Sequence, residues 1–335
     1  MRALLIVNPQ ATSTTRLRRD VIARALASAV DLEVVQTRYR GDATALAAAA
    51  RREGFGLVLT LGGDGTVNEA VNGILGTPGR DLAGSSDPAV AAAAETSAGD
   101  GWARPGAAGL PALAPLPGGN ANVFTRALGL PSDPVDAAGW ILQALADGRH
   151  RDIGVGLAGG RYFAFNAGVG FDAEVVRAVE GLRAHGRPVT PALYTRMAVR
   201  QFYRLTDRRN PPLMLERDGC PPAGPFFVFI VTNTAPWTYL GRRPVNTNPR
   251  AAFDCGLDVF AVRSLHTASS LRVVRQLLSA AGQPARGRSV LSLHDQPQLD
   301  VTATRPVAFQ VDGEYMGEHE LVRFASIPKA LRVIA

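Results

Sequence analysis

The fold is decided by the stretch Leu57-Val58-Leu59-Thr60-Leu61-Gly62-Gly63-Asp64-Gly65-Thr66-Val67-Asn68-Glu69-Ala70-Val71-Asn72-Gly73. An apolar run typical of a buried strand ends in a glycine-rich turn, and a helical pattern begins directly behind that turn. The glycines let a ligand approach the backbone closely, and the helix offers N–H groups to an anion. We therefore predict a phosphate site. The Asp64 carboxylate would repel phosphate there unless a metal ion lies between them.

Strands and helices alternate strictly on both sides of this turn. The strands of the first part are predicted at Arg2–Val7, Leu32–Thr37 and Gly56–Leu61. The alternation predicts an α/β domain with a Rossmann-like parallel sheet, which binds ligands at the carboxyl ends of its strands. Asn8, Thr37 and the Gly62–Thr66 turn follow such ends, so we expect three loops to meet at one edge.

The later part of the chain has a different pattern. Residues 76–109 are rich in Ala, Gly, Ser and Pro, which predicts a flexible surface insertion. From Arg151 onward, glycine turns, a few helices and short strands predict a mainly antiparallel, β-sandwich-like domain. The predicted strands include Arg161–Ala167, Leu299–Thr304 and Val307–Val311. We place the α/β domain at residues 1–135, to which residues 325–335 could return, and the β-rich domain at residues 136–324.

The composition limits the classes of function. The net charge of +7 and the pI near 10.1 favour anionic partners such as nucleotides, nucleic acid or an anionic membrane. Lys329 is the only lysine, which excludes the lysine chemistry of P-loop enzymes and protein kinases. The two cysteines form no disulfide framework, and no run of about 18 apolar residues predicts a membrane span. We expect a cytoplasmic protein that visits the inner face of the membrane as a peripheral protein.

Several motifs, in order along the chain, resemble those of the bacterial diacylglycerol kinase and sphingosine kinase-like lipid kinases, which share a superfamily with NAD kinase. The motifs are Asn8-Pro9, Gly62–Gly73, Leu116–Phe124, Phe165–Asp172 and Val311–Glu314. The resemblance implies transfer of the γ-phosphoryl group of ATP to a hydroxyl of a membrane lipid. It names diacylglycerol, which would give phosphatidic acid, as the first candidate substrate. The cofactors that it implies are ATP and Mg²⁺.

Two other functions stay open. One is an NAD kinase-like enzyme, which shares the glycine turn, and the other is a non-catalytic regulator that binds a nucleotide or a lipid. The continuation through Val67–Gly73 and the Pro117–Phe124 turn favour the lipid kinases. Nucleic-acid binding would rest on charge alone, so we expect none. The expected partners are a membrane lipid and an anionic bilayer surface, and the sequence allows a homodimer.

The resemblance implies that the first domain binds ATP. The residues assigned to the nucleotide are Asn8, Pro9, Thr12, Thr37, Gly62, Gly63, Asp64, Gly65, Thr66, Asn68, Glu69, Gly119, Asn120 and Asn122. The amides of the glycine turn would cradle the phosphates, and Asp64 would reach them through Mg²⁺. From the residues alone, Asp64 could equally support the turn, Glu69 could be a solvated helix residue, and Asn120 could cap a helix.

The acceptor side depends on acidic residues. Phosphoryl transfer to an alcohol needs a carboxylate beside the attacking hydroxyl, and the resemblance places it in the turn Asp312-Gly313-Glu314. We assign the proton acceptor to Asp312, with Glu314 as the competitor. An ordinary hairpin turn is the alternative interpretation.

Three further features have a structural and a functional interpretation. Asp172 resembles an acid near the lipid headgroup, or it caps the following helix. Asp254 resembles a ligand of a structural Mg²⁺, or it caps a turn, and Cys255 stands where a second acid is common. Aromatic residues and arginines at 192–205 and 237–243 belong to a core-facing helix and a loop, or they contact anionic lipid.

Overall fold

The structure, a computed structural model, describes residues 1–11, 15–76, 109–184, 190–241, 243–279 and 283–335. Thr12 and the predicted insertion, except its first and last residues, lie outside the described residues. Contacts divide the chain into two units. Unit 1 comprises Met1–Val155, Gly160–Tyr162 and Ile327–Ala335, and unit 2 comprises Gly156–Gly159 and Phe163–Ser326.

Unit 1 is built on a parallel sheet. Its elements are β1 (Arg2–Val7), α1 (Arg16–Ala27), β2 (Asp31–Gln36), α2 (Asp42–Arg52), β3 (Leu57–Gly62), α3 (Asp64–Leu75), β4 (Ala112–Pro117), α4 (Val123–Ala127) and α5 (Pro134–Ala146). β1 pairs in parallel with β2 and β3, and β3 pairs in parallel with β4. The strand order is therefore β4-β3-β1-β2. The predicted Rossmann-like sheet is confirmed.

The helices of unit 1 start where side chains can satisfy their first amides. Thr15 accepts a hydrogen bond from the Arg18 amide at the start of α1, and Asp133 accepts one from the Val135 amide at the start of α5. Both helices bury an apolar face against the sheet, with Ile22, Leu26, Ala137 and Ile141 among the fully buried residues. This burial, which removes apolar surface from water, holds the helices on the sheet.

The α5 helix belongs to unit 1, although the sequence predicts a domain boundary at residue 135. Its buried side chains share a core with Leu5 and Leu59, so contacts place the boundary after Val155. Residues Ile327–Ala335 also belong to unit 1. Ile334 donates its amide to the Leu113 carbonyl at 2.9 Å, which joins these residues to β4.

Unit 2 consists mainly of antiparallel strands, as predicted. The later elements are β5 (Arg151–Ala158), β6 (Arg161–Phe163), β7 (Asn166–Gly170), α6 (Phe171–Ala184), α7 (Pro191–Arg200), β8 (Leu213–Arg217), β9 (Cys220–Phe226), β10 (Val228–Thr232), β11 (Thr238–Leu240), β12 (Arg243–Val245), β13 (Leu257–Val262), α8 (Thr267–Leu277), β14 (Val290–Gln296), β15 (Gln298–Val311) and β16 (Glu314–Val333). The strand order is β14-β13-β10-β7-β15-β16, and the β8–β9 hairpin pairs with β15. β5 and β16 each contribute residues to both units.

Several strands differ from the sequence-based expectation. The predicted strand Arg161–Ala167 is two strands, because the amides of residues 164–166 turn toward the Asp312 carboxylate instead of a neighbouring strand. The predicted strands 299–304 and 307–311 are one strand, β15, whose pairing shifts register after Thr302. The β8–β9 and β11–β12 hairpins and most of β16 were not predicted, since their apolar residues do not alternate regularly.

Large aromatic side chains fill the core of unit 2. Phe163, Phe226, Phe229, Phe309 and Phe324 are all almost completely buried in one cluster.

No helix in the described ranges is both long enough and apolar enough to cross a membrane.

Candidate active site

The carboxyl ends of four strands meet at one edge of the sheet in unit 1. The Asn8 amide donates to the Leu61 carbonyl at 2.9 Å, and the Thr37 amide donates to the Val7 carbonyl at 2.9 Å. The Gly118 amide donates to the Gly62 carbonyl at 2.7 Å. The three loops predicted to meet are therefore neighbours, and the second glycine turn, which follows β4, joins them.

The two glycine turns pack directly on each other. A Cβ atom at Gly118 would lie 2.9 Å from both the Cα and the N of Gly62, and a Cβ atom at Gly119 would lie 2.7 Å from the Cα of Gly63. Such distances are too short for carbon atoms, and the atoms met are backbone atoms that cannot rotate away. Only glycine fits at these positions, so the pair of turns forms one backbone surface without side chains.

The amino end of α3 has hydrogen-bond donors to offer. Its first intrahelical bond runs from the Val67 amide to the Gly63 carbonyl, so the amides of Asp64, Gly65 and Thr66 have no partner inside the helix. Within the described part of the chain, no side chain caps this helix. The uncapped amides and the positive end of the helix dipole suit an anion such as phosphate.

The Asp64 side chain is turned away from its own helix end. Its Oδ1 accepts a hydrogen bond from the Phe124 amide at 3.1 Å, in the first turn of α4. Burial raises the pKa of this carboxyl, while the amides of Val123, Phe124 and Asn122 and the charge of Arg126 act in the opposite direction. Asp64 therefore links the two glycine turns, which is the supporting role considered from the residues alone.

A Mg²⁺ ion at this edge would depend on the Asp64 carboxylate. Among the residues that the structure describes, no group of three or more His, Cys, Asp or Glu side chains could hold a metal ion. Mg²⁺ usually takes one or two carboxylates, with phosphate oxygens and water completing its shell. Asp64 is the acidic residue in the first turn of α3 and would supply one such carboxylate.

Asn122 closes the second turn from inside. Its Oδ1 accepts from the Gly119 amide at 2.8 Å, and its Nδ2 donates to the Gly119 carbonyl at 2.8 Å. Asn122 lies in the left-handed region with φ 46°, a conformation that asparagine adopts more readily than most residues. It is therefore fixed within the turn, whereas Asn120 and Pro9 are exposed at the same edge.

Asn8 reaches the start of α3. Its Nδ2 lies 3.3 Å from the Thr66 hydroxyl and its Oδ1 accepts from the Gln10 amide at 2.9 Å. Of the residues assigned to the nucleotide, this edge thus gathers Asn8, Pro9, Thr37, Gly62, Gly63, Asp64, Gly65, Thr66, Gly119, Asn120 and Asn122.

Asn68 lies one turn further along α3 and points elsewhere. It is fully buried; its Nδ2 donates to the Tyr162 carbonyl at 2.9 Å, and its Oδ1 accepts from Nη2 of Arg161 at 2.6 Å. Asn72 bonds the amide and the carbonyl of Tyr162 from the next turn of the helix. The two asparagines therefore hold β6 on α3.

Glu69 is a buried cap of the neighbouring helix. Its Oε1 accepts from the Gly41 amide at 2.8 Å and its Oε2 accepts from the Ala43 amide at 3.1 Å, at the start of α2. The solvated alternative for Glu69 is therefore wrong. Asp42, the first residue of α2, accepts from the Arg38 amide at 2.8 Å.

In unit 2, the Asp312 carboxylate organises the turn before β7. Its Oδ2 accepts from the Ala164 amide at 2.7 Å, and its Oδ1 accepts from the amides of Phe165 and Asn166 at 3.0 Å each. The residue is 4% exposed and lies in the left-handed region with φ 47°. Three charge-assisted hydrogen bonds fix this carboxylate in place. Glu314, two residues later, is only half-buried.

Gln310 connects the acidic turn to Asp172, and the sequence did not single it out. Its Nε2 donates to Asn166 Oδ1 at 2.9 Å and to Asp172 Oδ2 at 2.8 Å. Its Oε1 accepts from the Gly313 amide at 2.8 Å. A polar side chain within an apolar strand segment is the signal that could have revealed it. The structure therefore brings the predicted Asp172, Asp312 and Glu314 into one region.

Asp172 is not the helix cap considered from the sequence, because α6 already begins at Phe171. Although part of the residue is exposed, burial of its carboxyl group raises the pKa to about 6, and the hydrogen bond from Gln310 opposes this shift. An acid with a raised pKa in the folded state binds more protons there than in the unfolded state. Its presence therefore costs stability as pH rises from about 4 to 6.

We expect Asp172→Asn to change the pH dependence of stability. The asparagine oxygen can still accept from Gln310 but carries no charge, so the free energy of unfolding should rise by about 2 kcal/mol at pH 7 and not at pH 4. Urea unfolding at several pH values measures this, with the exposed Asp20→Asn as the control. An equal gain at pH 4 and pH 7 would contradict the assignment to a titrating carboxyl.

The Asp254 region contains no metal-binding group of side chains in the described ranges. The nearby Asp258 is buried, lies 2.7 Å from Nδ1 of His294 and accepts from the Asp295 amide at 3.0 Å. Burial raises the pKa of Asp258. Asp258 therefore supports the pairing of β13 with β14, and a metal at Asp254 stays a prediction.

Comparison with known proteins finds a family model that matches the first part of the chain. Residues 2–158 match the diacylglycerol kinase catalytic domain. The chain is 26% identical over 330 residues to the diacylglycerol kinase of Bacillus subtilis, covering 94% of this chain and 90% of the relative. It is 27% identical over 344 residues to the Chromohalobacter salexigens protein named "Probable lipid kinase YegS-like", covering 99% and 92%. The resemblance stated from the sequence is confirmed.

Solved structures agree on the fold. A diacylglycerol kinase from Bacillus anthracis superposes with a TM-score of 0.65 at 20% identity, covering 99% of this chain and 96% of that one. An NAD kinase from Archaeoglobus fulgidus in complex with ATP superposes with a TM-score of 0.52 at 11% identity, covering 100% and 94%. At these identities the likeness concerns the fold alone.

Proposed function

Because residues 2–158 match the diacylglycerol kinase catalytic domain, we propose that this protein transfers the γ-phosphoryl group of ATP to a hydroxyl of a membrane lipid, with diacylglycerol as the first candidate. The observation that carries the donor half is the uncapped amino end of α3 beside the two stacked glycine turns. A surface of backbone amides without side chains can follow a chain of phosphates closely. The relatives named as lipid kinases support the acceptor half.

We assign the donor site to unit 1. The amides of Asp64, Gly65 and Thr66 bind phosphate oxygens, and Asn8 orients the Thr66 hydroxyl toward the same edge. The Asp64 carboxylate links the two turns through the Phe124 amide, and it would hold a Mg²⁺ ion that accompanies ATP. Such an ion would neutralise phosphate charge, which the chain cannot do with lysine at this edge because Lys329 is its only lysine. We assign no nucleotide contact to Asn68 or Glu69, whose polar atoms hold β6 and α2.

We assign the acceptor site to unit 2 and divide the roles within the acidic turn. Both oxygens of Asp312 already accept amide hydrogen bonds, so this residue positions the turn. Glu314 is more accessible, and a proton acceptor must reach the attacking hydroxyl, so we now favour Glu314 for that step. Gln310 supports the turn through the Gly313 amide and donates to Asp172, and both side chains contribute polar groups for a lipid headgroup.

A panel of acceptors tests the proposal. The protein is incubated with γ-labelled ATP, Mg²⁺ and mixed micelles that contain diacylglycerol, a sphingoid base or a prenyl alcohol, and separately with NAD. We expect label in the organic phase with diacylglycerol and none in NADP. Label in NADP alone would instead indicate an NAD kinase. ATP binding without any labelled product would indicate the regulator.

A further inference from the structure

Positive charge is concentrated in one section of unit 2. Residues 219–294 contain eight arginines, and their only acidic residues are Asp254 and Asp258. Asp258 is buried and bonded to His294, so it contributes little to the surface. The net charge of the whole chain is +7, and this section accounts for most of it. A surface of this sign favours an anionic partner.

The α8 helix (Thr267–Leu277) lies within this section and has two apolar faces. Val273 and Leu277 on the inner face are buried in a core with Phe260 and Val262. On the outer face, Leu271 is 64% exposed and Val274 is 49% exposed. They are three residues apart and therefore adjacent on the helix surface. The outer apolar face makes no contribution to the core of the protein.

Arginines flank the exposed apolar residues. Arg272 and Arg275 lie on α8, are exposed, and form no ion pair within the part of the chain that the structure describes. The helix itself contains no acidic residue. The β11–β12 hairpin meets the end of α8, because the Arg243 guanidinium donates to the Leu278 carbonyl, and its Leu240 is 45% exposed. We call Leu271, Val274, Arg272 and Arg275 the docking face.

We propose that the docking face lies on the surface of an anionic phospholipid bilayer. A bilayer interface offers apolar chains to Leu271 and Val274. It also offers phosphate headgroups to Arg272 and Arg275 beside them. Nucleic acid would satisfy the arginines but would leave Leu271 and Val274 against a charged backbone. The apolar residues therefore decide between the two anionic partners. This inference takes its partner from the proposed lipid kinase activity, but its test measures binding without turnover.

Co-sedimentation with vesicles in the absence of ATP tests the inference. The full chain is mixed with vesicles of phosphatidylcholine alone or of phosphatidylcholine with phosphatidylglycerol. We expect binding to the mixed vesicles that weakens as salt is added. Arg272→Gln with Arg275→Gln should lower the partition coefficient by about fivefold per arginine. Leu271→Ser with Val274→Ser should lower it by at least about tenfold, because apolar burial is lost.

Matched controls come from the last strand of unit 2. Leu321 is 43% exposed but stands next to Glu320, and Arg323 pairs with Asp300 at 3.5 Å. Leu321→Ser and Arg323→Gln should leave vesicle binding unchanged, and thermal unfolding should show that every variant is folded. Three results would overturn the inference: equal binding to neutral vesicles, equal losses in the control variants, or full binding by the Leu271→Ser, Val274→Ser variant. If the original protein binds a DNA duplex, the Leu271→Ser, Val274→Ser variant should keep that binding while it loses binding to vesicles. This result would support the inference, since only the bilayer needs the apolar residues.

Failure of this test and failure of the proposed activity are distinguishable. If the protein phosphorylates lipid in detergent micelles but does not bind anionic vesicles, the proposed activity is supported and the proposed docking face is contradicted. If the protein binds vesicles through Leu271 and Arg272 but labels no lipid, the proposed docking face is supported and the proposed activity is contradicted.

Discussion

Glu314→Gln should lower kcat by about 10²–10⁴-fold, the range typical of a lost general base, while KM for ATP and the free energy of unfolding stay near their original values. Glutamine keeps the size of the side chain but cannot take the proton of the attacking hydroxyl. Glu314 is half-buried, so loss of its charge should disturb the fold little. Turnover with labelled ATP and urea unfolding measure the two effects, and Glu314→Asp should retain part of the activity.

Asp312→Asn is the matched comparison and should behave differently. Asparagine has one acceptor oxygen, so its NH₂ group would face one of the three amides that now donate to the carboxylate. Two donors pointing at each other in a buried site should cost about 1–3 kcal/mol of stability, and the acidic turn should lose its position. Turnover should therefore fall together with stability.

The pair of variants decides the roles within the turn. If Asp312→Asn loses turnover with unchanged stability while Glu314→Gln stays active, Asp312 is the proton acceptor and our division of roles is wrong. If both variants keep full turnover, the acidic turn does not take part in the reaction at all.

The second large effect is expected from Gly118→Ala. The added methyl carbon would lie 2.9 Å from the Cα and N atoms of Gly62, so the two glycine turns must separate. Overpacking of this kind typically costs about 1–3 kcal/mol of stability. Because the uncapped amides of α3 belong to the same surface, we expect ATP affinity to fall by at least about tenfold. Equilibrium binding of a fluorescent ATP analogue and urea unfolding measure the two losses.

Gly139→Ala provides the control within unit 1. Gly139 lies in α5, and a Cβ atom there would meet no atom within 4 Å. Alanine is the better helix former, so this variant should be as stable as the original or up to about 1 kcal/mol more stable, with unchanged ATP affinity. If Gly118→Ala binds ATP as tightly as Gly139→Ala does, the stacked turns are not the donor site.

The fold of unit 1 was predictable because each of its signals is local. The apolar run at Leu57–Leu61, the glycine turn and the following helix are neighbours in sequence, and parallel sheets repeat this order. The edge at which Asn8 and the two glycine turns meet followed from the rule that loops gather at the carboxyl ends of the strands.

The acidic network of unit 2 was less predictable, because its partners are far apart in sequence. Gln310 meets Asp172 across 138 residues, and Asp312 meets the Ala164 amide across 148 residues. No periodicity reports such a contact. The same limit applies to Glu69, whose partners at the start of α2 lie 26 and 28 residues earlier in the chain. A charged residue in a helix pattern is usually exposed, and only the tertiary structure showed that this one is buried.

The path of β16 through both units affects the order in which the protein can fold during synthesis on the ribosome. Residues Ile327–Ala335 complete unit 1, where Ile334 bonds to Leu113 and Arg332 forms a bidentate pair with Asp152. Yet they are synthesised only after Phe163–Ser326, which at roughly 5–20 residues per second takes about ten to thirty seconds. During that interval β4 cannot yet pair with the end of β16. Unit 1 thus cannot be completed before unit 2 has been synthesised.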